Sequence, residues 1–146
     1  MEQRLMNPWK LWTGRLLVLS GAFLLLAIVP VFFPVSWMAQ FHERLGLGEM
    51  QVQPILVYLA RSTSLLYFVH GIVTVYVGMH IERLWPMARI LGGLHVVIGS
   101  LMIYIDLNAG MPLYWTCGEG GPIALLGSLV VWLTMQADWE KASPKT

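Results

Sequence analysis

Apolar positions along this chain gather into four runs, roughly Leu11 to Phe33, Ile55 to Met79, Met87 to Leu107 and Pro122 to Ala137, separated by short polar or Gly- and Pro-rich stretches. A helix that crosses a bilayer needs about 20 mainly apolar residues, and the runs are of that order. Leu16 to Phe33 holds no charge, whereas a helix on the surface of a water-exposed bundle keeps a charged face. The pattern predicts an all-α membrane protein. Its expected form is a four-helix transmembrane up-down-up-down bundle, with residues 1–146 making a single transmembrane domain.

Composition moves the picture the same way, since 57% hydrophobic and 12% charged residues is far from the ~25% charged of a typical soluble domain. Arg4, Lys10 and Arg15 precede the first run as basic residues precede a secretory signal. That run nevertheless outlasts the ~7–15-residue core of a signal and meets Pro30 and Pro34 instead of a small-residue cleavage site. It is expected to stay as the first span.

Between spans one and two, Trp37, Met38, Phe41 and Leu45 recur at helical spacing with Gln40, Glu43 and Arg44 opposite, and Gly46 and Gly48 follow as candidate C-caps. A short interfacial helix is predicted there, lying on the outer membrane surface or folded as a lid over the bundle. The link between spans two and three is only Ile81 to Pro86, so these two must be antiparallel neighbours. With the N-terminus inside, inner segments carry Arg4, Lys10, Arg15, Arg83, Arg89, Lys141 and Lys145, against Arg44 and Arg61 outside. Basic residues favour the cytoplasmic side, which places both termini there. Trp9, Trp12, Trp85 and Trp139 then fall near the inner interface, and Trp37 and Trp115 near the outer one.

Span two places Thr63, Tyr67, His70 and Thr74 on one helical stripe, and span three repeats the rhythm with Ala88, Gly92, His95, Gly99, Met102 and Asp106. His70 lies about 15 Å before the end of its helix near His80, and His95 about 12 Å past Met87, at 1.5 Å per residue. These depths match, so Thr63, Tyr67, His70, Thr74 and His95 are expected in the bundle interior. By the same geometry Arg61 and Asp106 come level near the outer surface, where an ion pair is expected because charges at that depth are costly alone. Arg61 stands about 180° around the helix from His70. The segment Asp106 to Pro122, DLNAGMPLYWTCGEGGP, is too rich in Gly and Pro for a regular helix. Glu119 at its end either caps the fourth span or joins Arg61 and Asp106 in an outer polar cluster.

The histidines admit two chemistries. Packing between helices, with Thr, Tyr or a backbone carbonyl as hydrogen-bond partner, is favoured by the small residues beside them, which signal close helix approach. The alternative is a b-type haem ligated by His70 and His95, with Gly92 and Gly99 making room for the macrocycle. A single cysteine, Cys117, excludes an intramolecular disulfide and any multi-cysteine cluster, and its acidic neighbour Glu119 argues against an activated nucleophile. No zinc-protease, hydrolase-elbow, phosphate-loop or dithiol motif is present. No catalytic residue is therefore assigned, and a net charge of +1 offers no basic tract for nucleic acid.

The stretches LGLGEMQVQPILVYLARSTSLLYFVHG and DLNAGMPLYWTCGEGGP resemble those of small four-helix bacterial membrane proteins without an assigned reaction. The layout is similar to the broader DoxX-like group, with Gly14, Arg15 and Gly21 around span one. The resemblance implies a bacterial inner-membrane bundle whose polar positions of interest are Arg61, His70, Asp106 and Glu119. The reading reached is a non-enzymatic protein without cofactor or metal. It serves either as accessory subunit to a membrane-protein partner or homo-oligomer, or as a holder of an apolar ligand such as a membrane lipid or quinone. The alternative is the haem-bearing redox protein.

Two outcomes check these expectations. An impermeant thiol reagent added outside intact cells should label Cys117; protection there with labelling in inverted vesicles would reverse the orientation. His70→Ala should cost roughly 0.6–2 kcal/mol in unfolding free energy, the range for intramembrane hydrogen bonds, with His70→Gln close to silent.

Overall fold

The computed structural model describes residues 7–142; Arg4 and Lys145, counted above in the charge bias, and the side chain of Lys141 lie outside the description. The described residues form helices and no strand: α1 (Pro8–Leu25), α2 (Ile28–Val31), α3 (Val35–Arg44), α4 (Pro54–Met79), α5 (Trp85–Ala109), α6 (Leu113–Gly118) and α7 (Gly120–Ala142). Four stretches, Pro8–Val31, Pro54–Met79, Trp85–Ala109 and Leu113–Glu140, are long and apolar enough to cross a membrane. This is the build of a multi-pass helical membrane protein.

Proline sets most of the boundaries. Of eight prolines, Pro8, Pro34, Pro54, Pro86, Pro112 and Pro122 stand at or within the first turn of a helix, where the missing N–H is not needed. Pro30 is different. It cannot bond the carbonyl of Leu26, and that oxygen instead accepts from Val29 at 3.0 Å, so the first span breaks at Leu26 and Ala27 into α1 and α2.

Glycine ends two helices in the same way. After α3, Gly46 takes φ 71°; its N–H reaches Glu43 O at 2.9 Å while Leu47 N–H reaches His42 O at 3.2 Å, a Schellman pair. After α5, Gly110 does the same, with Met111 N–H on Asp106 O at 2.9 Å. The segment between the first and second spans is thus helical over Val35–Arg44. The segment expected to be irregular from Asp106 to Pro122 is corrected: it contains α6, and α7 begins at Gly120, ahead of Pro122. Glycine raises the cost of a helix only modestly, and here Gly120 lies in a helix seam that needs its small size.

One domain is expected from the pattern of spans; by contact the chain divides into two compact units, Met1–Val18 with Tyr76–Thr146, and Leu19–Val75. The divisions fall inside α1 and α4. In lipid there is no hydrophobic drive toward one central core, so packing is organised by close helix pairs.

In the first unit α5 and α7 meet backbone to backbone. A Cβ placed on Gly99 would lie 2.7 Å from Gly120 O, and one on Gly127 would lie 2.6 Å from Gly92 O. Ascending α5 from Gly92 to Gly99 means descending α7 from Gly127 to Gly120, so the pair is antiparallel with a seven-residue repeat. Gly14 of α1 and Gly78 of α4 make an equivalent contact, with each glycine's would-be Cβ 2.9 and 2.8 Å from the other's carbonyl. Leu17, Val77, Ile81, Ala88, Leu91 and Val130 form the apolar core of this unit. In the second unit Gly21 and Gly71 approach as closely, at 2.9 Å in each direction. Away from the seams large apolar side chains are exposed, among them Phe23, Leu66 and Leu125, as suits helices bathed in hydrocarbon.

The seam separates two glycines on α5, Gly93 outside it and Gly99 within it. Gly93→Ala meets nothing within 4 Å and should leave stability unchanged or raise it by up to about 1 kcal/mol through helix propensity. Gly99→Ala drives a methyl into the α7 backbone and should cost about 1–3 kcal/mol. Unfolding midpoints in detergent check the contrast, which fails if the two variants behave alike.

Candidate functional site

On α4, burial rises along the stripe expected to face inward. Thr63 is exposed, Tyr67 and His70 are half-buried, and Thr74 is fully buried. Thr63 is therefore corrected from an interior to a surface position of the chain. No glycine stands near it to let another helix close in, whereas Gly71 and Gly78 flank Thr74. Tyr67 and His70 are both engaged in interactions. The Thr74 hydroxyl donates to the His70 carbonyl at 2.9 Å, the helix's own backbone, and so does not serve the imidazole. Thr13 and Thr134 behave alike, donating to Trp9 O at 2.8 Å and Val131 O at 2.7 Å.

In the first unit His95 is buried and engaged. Its Cβ would lie 2.8 Å from a Cβ on Gly127, so the base of the side chain is clamped on the α7 backbone. Helices this close offer no slot for a porphyrin between α5 and α7. Asp106 is buried at 6% exposure, and its Oδ2 accepts no hydrogen bond among the described residues; Thr116 of α6, at 5%, likewise has an unmatched Oγ1. Glu119 is half-buried, engaged, and sits immediately before α7, where the helix dipole favours a carboxylate. Arg61 belongs to the other unit. No group of three or more His, Cys, Asp or Glu among the described residues is placed to hold a metal ion.

A second polar cluster in this unit was not among the sequence candidates. Arg89 forms an ion pair with Asp138, adds Nε to Thr134 Oγ1 at 3.4 Å and Nη2 to Thr134 O at 3.3 Å, and Trp85 Nε1 donates to Asp138 Oδ1 at 3.3 Å. Lys10 Nζ stands 5.4 Å from the Trp85 ring, and Trp9 meets Trp132 edge-on at 5.8 Å. Every charge here has an answering group, which marks the cluster as a clamp between α1, α5 and α7. Its signal in the sequence is register: once Gly92 faces Gly127, Arg89 and Asp138 come within reach.

The second unit holds a different arrangement. Pro54, Val57, Tyr58, Arg61 and Ser62 follow i, i+3, i+4, i+7, i+8 spacing on one face of α4, and with Val35 and Val52 they line a cleft of about 530 Å³, within the ~300–1,000 Å³ of ligand pockets. Phe33 stacks on Phe41 and meets Trp37 edge-on, both at 5.6 Å, which fixes the end of the first span against α3. The Phe33 carbonyl accepts from Arg61 Nη2 at 3.1 Å, while Arg61 Nε is buried without an acceptor. Chemically this is an apolar trough with one permanent cation and two hydroxyls.

No protein-family model, curated protein or solved structure matches the chain.

Proposed function

We propose that this is a non-enzymatic multi-pass protein of the bacterial inner membrane that holds a single lipid-soluble molecule, a lipid or quinone, in the cleft between α3 and the start of α4. The chain crosses four times in up-down-up-down order with both termini cytoplasmic, and α3 lies at the outer interface. The observation that carries the reading is the cleft itself, walled by Val35, Val52, Pro54 and Val57 with Arg61 and the hydroxyls of Tyr58 and Ser62 set among them. Supporting it, α3 and its C-cap expose Trp37, Phe41 and Leu45, aromatic and apolar groups suited to a headgroup layer. The layout shared with the DoxX-like group fits the same placement without adding a reaction.

The protein purified in mild detergent should carry about one extractable lipid-soluble molecule per chain, and Val57→Trp, which fills the cleft, should strip it. Equal retention by wild type and Val57→Trp overturns the reading. A colourless protein that instead co-purifies with a stoichiometric partner chain favours the accessory-subunit role, and a Soret band lost in His70→Ala or His95→Ala favours the haem protein.

A further inference from the structure

We propose, resting on the cleft reading above, that the occupant is an anionic amphiphile whose oxyanion head, a phosphate in the simplest case, is held by Arg61 while its chain lies on the apolar wall of α4. A guanidinium stays charged at any pH a cell reaches, and it carries five donors and no acceptor. One donor of Arg61 is spent on the Phe33 carbonyl, which holds the group in place without neutralising it. The acidic residues of its own unit, Glu43 and Glu49, are exposed and neither lines the cleft. A charge set among Val35, Pro54 and Val57 loses solvation, and a charge in apolar surroundings needs a counter-charge more than a neutral acceptor.

The rest of the lining selects the sign of the ligand. Tyr58 and Ser62 flank Arg61 on the same face of α4 and add two hydroxyls, and no carboxylate lines the cleft. A cation finds nothing there; an oxyanion finds a bidentate partner and two further donors. Depth agrees. Arg61 lies seven residues, about 10 Å, into α4, and the 26-residue helix spans about 39 Å against a hydrocarbon core of about 30 Å. Arg61 therefore starts only a few ångströms inside the apolar boundary, and its long side chain reaches back to headgroup level. Inward of Arg61 its face of α4 continues with Leu65 and Val69, exposed apolar residues four and eight positions on, as a bed for a chain, while Pro54 and Val57 wall the cleft on the outer side of Arg61.

The test is competition against a fluorescent-chain phosphatidylglycerol on full-length protein in neutral detergent. Unlabelled phosphatidylglycerol should compete about tenfold better than diacylglycerol of the same chains or ubiquinone, the ratio expected of one charge-assisted contact, and inorganic phosphate alone should not compete. Arg61→Gln should bring phosphatidylglycerol and diacylglycerol to parity while diacylglycerol still binds, and Arg61→Lys should keep part of the preference. Equal competition by phosphatidylglycerol and diacylglycerol in wild type, with Val57→Trp abolishing both, overturns the anionic head and leaves the cleft standing. Binding untouched by Val57→Trp overturns the cleft as well. Stronger competition by ubiquinone, or competition by inorganic phosphate as good as by the lipid, overturns the proposed ligand.

Discussion

Everything in this structure depends on how closely two helix backbones can approach when lipid surrounds them. Hydrocarbon gives no hydrophobic reward for bringing helices together, so association rests on van der Waals contact, and contact is densest where side chains are absent. Gly92 with Gly127 and Gly99 with Gly120 close α5 on α7, Gly14 meets Gly78 in the same unit, and Gly21 meets Gly71 in the other. The α5–α7 pair is antiparallel and repeats after seven residues, the period that keeps a seam on one side of two helices wound in a left-handed sense. Once the glycines interlock, register is fixed. Buried Thr13, Thr74 and Thr134 then each donate to a carbonyl of their own helix.

The sequence shows the parts of this that are periodic along one segment and hides the parts that are pairings between segments. Four membrane-length helices, a helix after Pro34 and its glycine terminator are visible because hydropathy and turn chemistry are local. The small-residue stripe of α5 is visible too, through Gly92 and Gly99. Its partner stripe is not, because Gly120 looks like part of a loop when it stands next to Gly121 and Pro122. In lipid a seam glycine is a packing residue, and the helix runs through it. Missing Gly120 also hides the Arg89–Asp138 pair, which only the register of α5 on α7 brings together.

The candidate site was half legible for the same reason. Arg61 stands out as a charge near the end of an apolar run, and its angular separation from His70 can be counted on the helix. What cannot be counted is the cleft, since Val35 and Val52 reach it from outside α4. The histidine stripe was easier to see and harder to interpret. Its periodicity says that Thr63, Tyr67, His70 and Thr74 share a face, but the depth to which that face is covered depends on where glycines admit a neighbour. They do so near Thr74 and not near Thr63.

Two arginines in this chain show how the same side chain is used in opposite ways. Arg89 is half-exposed, ion-paired with Asp138 and bonded to Thr134; its charge is answered within the protein, and its effect is to lock α5 to α7. Arg61 is bonded to a neutral carbonyl and set among valines and proline. A carbonyl orients a guanidinium but leaves its full charge to be balanced, and an apolar wall makes that balance more valuable, because an ion pair gains strength as the local dielectric falls. A chain built only for packing would carry Leu or Met at position 61 at no loss of helix propensity. The charge instead stands in a trough walled by valines and proline, the setting on which the proposed anionic amphiphile rests.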